Sequence, residues 1–247
     1  MEFVVFYLFR TIIKKFISLY KNQNDMKEPL SEEVLMHIAS QLSKPEGADG
    51  LITAERMAHT NHNMTLAAIE ALALTEGDTV LEIGPGNGSH VSQLMSKALG
   101  LRYYGADISD TMVAEAANIN KELLDTGKVS FEITEADKLN FSDSFFDKIF
   151  TVNTLYFWEE PILYAQEVLR VLKPGGIFCM AIATEEFMKQ LPFTKYRFKL
   201  YDAAAAENLL VGAGFSMLNI SAQKDLTSSH TGELVNRDII VITATKH

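Results

Sequence analysis

Three glycines that directly follow a short β-branched run constrain this 247-residue chain more than any other feature. The run Thr79–Ile83 predicts a buried strand, the loop Gly84–Gly88 (sequence GPGNG) comes next, and a helical pattern begins at about Ser89. Glycine permits positive φ angles and lets a ligand approach the backbone closely. The amino end of the following helix presents unpaired N–H groups and a positive dipole end. This order therefore predicts a site for an anionic group such as a carboxylate.

Short apolar strands alternate with helical patterns along the rest of the chain. Further strands are expected at Arg102–Ala106, Val129–Thr134, Lys148–Val152, Ile177–Ile182, Phe215–Ile220 and Asp238–Thr245. Such alternation favours parallel pairing with right-handed crossovers and helices on both faces. We therefore predict an α/β protein with a doubly wound, mostly parallel, seven-stranded sheet and an N-terminal helical cap. The last two strands have little helical pattern between them, so we expect them to form an antiparallel hairpin at one edge.

The chain is expected to divide into an extension (1–25), a helical cap (26–64) and a core (65–247). Apolar residues recur at helical spacing in the extension, which predicts an amphipathic helix. This helix could pack on the domain, lie on a membrane surface, cover the substrate site, or have no role in the protein. Its apolar stretch is broken by Arg10, Lys14 and Lys15 long before the roughly 20 residues that a spanning helix needs. The extension is therefore not expected to span a membrane. Any contact with a membrane surface is expected only through residues 1–25.

Charge and cysteine content restrict the partners and the compartment. The chain has 22 basic and 32 acidic residues, and its formal net charge of −10 disfavours nucleic acid as a partner. Cys179 is the only cysteine, so neither an internal disulfide nor a thiolate metal site can form. These features predict a protein of the reducing cytoplasm.

A second carboxylate follows the second predicted strand. Asp107 lies 25 positions after Glu82, and a carboxylate at that strand end can accept both hydroxyls of a ribose. Its alternative role, capping the next helix, is better filled by Ser109 or Asp110. A nicotinamide-binding loop would carry glycine or alanine at the position of Ser89, which weakens the reading as a dinucleotide site.

With these features in place, the segments Glu82–Gly88 and Ala106–Ser109 resemble two motifs of the class I S-adenosylmethionine-dependent methyltransferases. Leu169–Gly176 and Ala213–Phe215 are similar to further family segments, and the resemblance spans about residues 40 to 220. It is strongest for the small-molecule branch that includes quinone-biosynthesis enzymes. The resemblance implies S-adenosylmethionine as cofactor and a small-molecule acceptor, methylated on O, N or C.

The resemblance also assigns cofactor-binding roles to residues at the strand ends. The residues concerned are Glu82, Gly84, Gly86, Gly88, Asp107, Ile108, Glu135, Ala136 and Asn153. The glycines would cradle the methionine part, Glu82 would help to hold its ammonium group, Asp107 would bind the ribose and Ile108 would lie beside the adenine. At the third strand the family acid falls on Glu135, counted back from Leu139, and Asp137 remains the alternative.

The acceptor is expected beyond the fourth strand. Asn153 lies beside the switch point of the sheet, where the reacting methyl should be. Tyr156, Phe157 and Trp158 follow and either wall the acceptor pocket or pack under the next helix.

Catalysis would mainly require alignment of the acceptor with the sulfonium methyl group. His59, His62 and Tyr156 are candidate catalytic residues, and a histidine there could act as general base. No cysteine or further histidine lies near the two histidines, so no metal is expected. Two other functions remain open: a cofactor-binding regulatory protein without turnover, and a nicotinamide-dependent oxidoreductase.

Overall fold

The computed structural model describes residues 30–135, 138–228 and 234–247, so the predicted extension 1–25 lies outside the described residues. The strands are β1 (Thr79–Ile83), β2 (Arg102–Asp107), β3 (Val129–Ile133), β4 (Phe146–Val152), β5 (Leu172–Ala183), β6 (Ser216–Ser228) and β7 (Leu234–Thr245). They form one sheet in the order β3-β2-β1-β4-β5-β7-β6. β1 to β5 pair in parallel, and β7 is antiparallel to both β5 and β6. The predicted doubly wound sheet and its edge hairpin are confirmed.

Nine helices of the described residues surround the sheet. They are α1 (Glu32–Ser43), α2 (Gly47–Thr60), α3 (His62–Ala71), α4 (Val91–Met95), α5 (Asp110–Ile119), α6 (Lys121–Asp125), α7 (Pro161–Val171), α8 (Glu185–Met188) and α9 (Ala203–Ala213). Three of these helices start where local sequence favours it, because Ser31, Ser109 and Asp202 each accept a backbone N–H bond at a helix N-cap. In the described part of the chain, no helix is long and apolar enough to cross a bilayer.

The core lies on both faces of the sheet. Along β1, Val80 packs in one apolar cluster with Leu94, and the next residue, Leu81, packs in the other with Val168. Strands whose successive residues are both buried read as continuous apolar runs, as expected for a parallel sheet covered on both faces. This packing holds the carboxyl ends of β1, β2 and β4 in a fixed relation.

Two helices differ from the expectation. The composition of Ser43–Gly50, with Pro45, Gly47 and Gly50, favours a loop. In the structure, α2 begins at Gly47, whose N–H donates to Thr111 Oγ1 of α5 (3.2 Å). Glu46 makes no side-chain cap, so the contact with Thr111 is what stabilises the first turn of α2. The local sequence pattern does not reveal this contact, because Thr111 lies on a distant helix. After the glycine loop, the apolar residues Ala98 and Leu99 continue the helical spacing and favour a helix that reaches Leu99. In the structure, α4 ends at Met95, and Ser96 Oγ donates back to the Gln93 carbonyl.

Candidate active site

A cleft opens at the carboxyl ends of β1, β2 and β4, with α2 as its cover. The order of strands reverses here, because β2 and β4 lie on opposite sides of β1. Ligands of open α/β sheets bind at such a switch point. The cleft has a volume of about 1280 Å³ including its open mouth, and among its lining residues are Glu82, Gly86, Asp107, Ile108, Asn153 and Trp158.

The glycine loop bounds one side of the cleft. Gly84 and Gly86 have φ angles of +72° and +58°, which residues with a Cβ rarely adopt. A Cβ on Gly84 would lie 2.6 Å from Thr154 Cγ2, so this glycine lets the segment after β4 approach the loop. A Cβ on Gly86 would meet no atom within 4 Å. Gly86 therefore lines the cleft without filling it.

Gly88 serves packing, and the structure does not bring it into the cleft lining. A Cβ there would lie 3.0 Å from Asn120 Nδ2 and 3.1 Å from the Ala116 methyl group. Asn120 also donates to the Gly88 carbonyl (3.0 Å). The absence of a side chain at Gly88 thus allows α5 to pack against the loop.

Glu82 is buried on the cleft floor, with a relative exposure of 2%. Its Oε2 accepts the Tyr103 hydroxyl at 2.5 Å and lies 2.7 Å from His90 Nε2. Burial lowers the pKa of His90, whereas the charge and the hydrogen bond of Glu82 raise it. The two effects of Glu82 together outweigh the effect of burial, so the pKa lies above the ordinary 6.5. His90 lines the cleft and was not among the predicted residues; its place directly after the glycine loop is the signal that could have identified it.

Asp107 turns its carboxylate into the cleft at the end of β2. Its two oxygens accept the backbone N–H groups of Ser109 (2.9 Å) and Gly86 (3.3 Å). Burial raises the pKa of Asp107 to about 6, although these donors lower it. Ser109 caps α5, so Asp107 is not needed as the helix cap. Ile108 lines the cleft beside it, as the ribose and adenine assignment requires.

The end of the third strand differs from the assigned register. Thr134 lines the cleft, whereas Glu135 is exposed and lies instead beside Lys138 and Arg170 in a separate hollow. Glu135 forms a β-bridge with Lys138, which also does not line the cleft. Ala136 and Asp137 lie outside the described residues.

Asn153 lines the cleft, but its side chain is used within the protein. Its φ of +58° is left-handed, a conformation that asparagine tolerates. Its Nδ2 donates to Asn61 Oδ1 (3.1 Å) and contacts Met64 Sδ (3.3 Å), and its Oδ1 accepts from the Tyr156 hydroxyl (3.0 Å) and Ala183 N (3.2 Å). The residue therefore shapes the cleft with a side chain already hydrogen-bonded to the protein.

The three candidate catalytic residues are separated by the structure. Tyr156 is buried outside the cleft lining, with its hydroxyl 2.7 Å from the Ala183 N–H that it accepts, because the turn Leu155–Phe157 directs it into the core. His59 is exposed and does not line the cleft. His62, at the start of α3, does line the cleft, and its side chain is exposed.

An aromatic wall closes the β4 end of the cleft. Phe157, Trp158 and Tyr164 line it, and the Trp158 and Tyr164 rings meet edge to face with centroids 4.7 Å apart. Trp158 is only 6% exposed, so it is both a wall of the cleft and part of the core. The segment was expected either to wall the acceptor pocket or to pack in the core, and its residues do both. Tyr156 packs in the core, whereas Phe157 and Trp158 line the cleft.

The fold and the site define an α/β domain with a ligand cleft at the switch point of its sheet. Comparison with known proteins shows which class of enzyme it resembles. Residues 81–180 match the methyltransferase domain family. An uncharacterised methyltransferase of Bacillus subtilis, YdaC, is 28% identical over 130 residues, which cover 51% of this chain and 67% of that protein. The 2-methyl-6-phytyl-1,4-hydroquinone methyltransferase of Synechocystis is 33% identical over 119 residues, 48% of this chain but only 36% of the relative.

A solved structure gives the same result for the fold. The phosphoethanolamine N-methyltransferase 2 of Haemonchus contortus, in complex with phosphomonomethylethanolamine and S-adenosylhomocysteine, superposes with a TM-score of 0.66 at 18% identity. The match covers 85% of this chain and 60% of that chain. Residues 81–180 therefore match a methyltransferase domain, and the predicted resemblance to the class I S-adenosylmethionine-dependent methyltransferases is confirmed.

Proposed function

We propose that this chain transfers the methyl group of S-adenosylmethionine to a small, largely uncharged acceptor. The observation that carries the proposal is the composition of one continuous cleft. Two buried carboxylates, Glu82 and Asp107, lie at its β1–β2 end, and the aromatic residues Phe157, Trp158 and Tyr164 lie at its β4 end. No lysine or arginine occurs among the described residues that line it, which disfavours an acceptor recognised by its negative charge.

The residues proposed to hold the cofactor lie at the polar end of the cleft. Glu82 can accept the ammonium group, the Asp107 carboxylate can accept both ribose hydroxyls, and Ile108 can pack against the adenine. Gly86 leaves room for the methionine part beside the loop. The bound cofactor supplies an electrophilic methyl group, and the protein contributes by aligning the acceptor with it.

His62 is the proposed base for an acceptor that must lose a proton. It lines the cleft between α2 and the strand ends, whereas the acidic groups of the floor are engaged with the protein and the cofactor. A neutral imidazole can take the proton of an alcohol, phenol or amine as the methyl group transfers. A carbon acceptor would need the same group to remove a proton after transfer.

The relatives support a small-molecule acceptor and leave its identity open. The Synechocystis relative is named for a hydroquinone and the Haemonchus structure contains a phosphomonoester, so the class accepts different molecules. We also propose a cytoplasmic setting without nucleic acid. The net charge is −10, and burial raises the pKa of the lone Cys179 thiol to about 12, which suits a structural thiol.

Incubation with methyl-labelled cofactor and a panel of phenols, hydroquinones, amines and fatty acids tests the proposal. Label should move to at least one neutral aromatic or apolar acceptor, and His62→Gln should slow that transfer without changing S-adenosylhomocysteine affinity. Cofactor binding with no transfer to any acceptor would favour the regulatory alternative.

A further inference from the structure

A buried ion pair on the β6–β7 hairpin lies far along the chain from the cofactor motifs. Asp225 on β6 and Arg237 on β7 face each other in the antiparallel register, with side chains 1% and 8% exposed. The Asp225 carboxylate accepts from Nε (3.0 Å) and Nη2 of Arg237. Buried charges are costly unless the remaining donors are also satisfied, so the other partners of Arg237 are informative.

Those partners lie at the junction of α2 and α3, which closes the cap over the cleft. Arg237 Nη2 donates to the Thr60 carbonyl and Nη1 donates to Asn61 Oδ1, both at 2.9 Å. Asn63 Nδ2 strengthens the same connection by donating to Asp225 Oδ1 (3.2 Å). The hairpin therefore holds the segment of the cap around Asn61, which lines the cleft.

Two donors on Asn61 Oδ1 determine how the amide is turned. Arg237 Nη1 and Asn153 Nδ2 can only donate, so the atom that both approach must be the amide oxygen. Asn61 lines the cleft, and in the described part of the chain its Nδ2 has no hydrogen-bond partner. The N–H₂ group is thus available to a ligand in the cleft.

The surrounding charges indicate which ligand group suits this donor. Glu82 and Asp107 lie on β1 and β2 and repel a carboxylate, whereas Asn61 lies beside Asn153 at the end of β4. A guanidinium bonded to the amide oxygen also polarises the amide and strengthens its N–H donors. An anionic oxygen at the methionine end of the cofactor would therefore find a suitable donor at Asn61.

We infer that Asn61 donates its amide N–H to the carboxylate of the cofactor's amino-acid part, and that Arg237 is the positioning residue that turns Asn61 for this contact. The inference rests on the proposed cofactor site and deepens it. It makes the β6–β7 hairpin part of cofactor recognition, although neither Asp225 nor Arg237 lines the cleft.

Calorimetry with two ligands tests the contact of Asn61. S-adenosylhomocysteine carries the carboxylate, and 5′-methylthioadenosine lacks the amino-acid part. Asn61→Asp retains an oxygen for Arg237 and replaces the donor by a second oxygen. It should weaken S-adenosylhomocysteine binding by about tenfold or more, the scale of losing a hydrogen bond to a charged group. Binding of methylthioadenosine and the melting temperature should stay nearly unchanged.

The role of Arg237 is tested by replacing both charges together, Asp225→Leu with Arg237→Met, so that neither is left buried alone. This pair should weaken S-adenosylhomocysteine binding in the parent and add little in an Asn61→Ala background. Additive losses would show that the ion pair acts separately from Asn61 and would overturn the positioning role.

The outcomes separate this inference from the cofactor site itself. If the parent binds both ligands and Asn61→Asp binds S-adenosylhomocysteine as well as the parent, Asn61 does not contact the carboxylate and the inference is wrong. Equal losses for both ligands would overturn it as well, since they would indicate a general change of the cleft. If the parent binds neither ligand, the proposed cofactor site fails, and the inference fails with it.

Discussion

The two ends of the cleft differ in chemistry: one is polar and the other is aromatic. At the β1–β2 end, the carboxylates of Glu82 and Asp107 are buried and held by hydroxyl, imidazole and backbone N–H groups. At the β4 end, Phe157 and Trp158 present apolar rings. Oriented polar groups discriminate by hydrogen bonds, and a missing partner costs the full desolvation of a buried group. Apolar walls discriminate by shape and only weakly. We therefore expect the cofactor to be recognised by hydrogen bonds and the acceptor by the shape of the apolar wall.

Gly86→Val should give the largest effect and should be confined to the polar end. A valine at φ +58° would direct its side chain into space that is open to the ligand, so binding of S-adenosylhomocysteine should be lost. Gly127→Val is the matched control, because Gly127 also has a positive φ (+68°), open space around it, and no part in the cleft. Both variants should lose similar stability, and only the first should lose calorimetric binding. Normal binding by Gly86→Val would break the assignment of the loop.

Trp158→Ala should act at the apolar end. Loss of a buried indole costs about 3–5 kcal/mol of unfolding free energy, and methyl transfer per folded molecule should also fall because the wall is gone. Tyr156→Phe is the comparison within the same segment. It removes a core hydroxyl, which costs about 1–3 kcal/mol, and should leave transfer per folded molecule unchanged. Chemical denaturation and activity measured on the same samples would show whether wall and core separate in this way.

Asp107→Ala should weaken S-adenosylmethionine binding by about 1.5–3 kcal/mol, the scale of losing charge-assisted hydrogen bonds. Titration calorimetry measures this directly. An unchanged affinity would remove the ribose assignment while leaving the glycine loop intact.

The raised pKa of Asp107, about 6 in the folded protein, predicts opposite pH trends for binding and stability. Cofactor affinity should fall as the pH drops through 6, because the protonated acid accepts hydroxyl donors poorly. The folded pKa lies above the ordinary value of 3.8 for an aspartate, so protons bind the folded state more tightly than the unfolded state. The contribution of Asp107 to stability therefore rises as the pH falls from 7 towards 4. Asp107→Asn should flatten both trends, and the part that remains would report other groups such as His90.

The smallest expected effect concerns the end of β3. Glu135 was assigned to the adenine from the resemblance, with Asp137 as the alternative. Since Glu135 is exposed outside the cleft, Glu135→Gln should change S-adenosylhomocysteine affinity less than about twofold, the effect of a distant surface charge. A larger loss for Glu135→Gln than for Asp137→Asn would restore the original register.

The fold and the polar end could be predicted because their determinants are local. The loop after the strand Thr79–Ile83 lies where that strand ends, and Asp107 lies at the end of the next strand. Paired parallel strands bring such ends together. The start of α2 could not be predicted, because it depends on Thr111 of α5. The orientation of Asn61 depends on Arg237, 176 positions away, and no periodic pattern encodes a contact of that separation. Tyr156 and Trp158 are two residues apart, and only the turn between them decides which one reaches the cleft.

Binding of S-adenosylhomocysteine and of NADH to the parent protein and to Asp107→Ala tests the central claim most directly. S-adenosylhomocysteine should bind the parent with one site per chain, Asp107→Ala should weaken this binding by about 10- to 150-fold, and NADH should not compete. Tight NADH binding, or S-adenosylhomocysteine binding that is indifferent to Asp107, would contradict it.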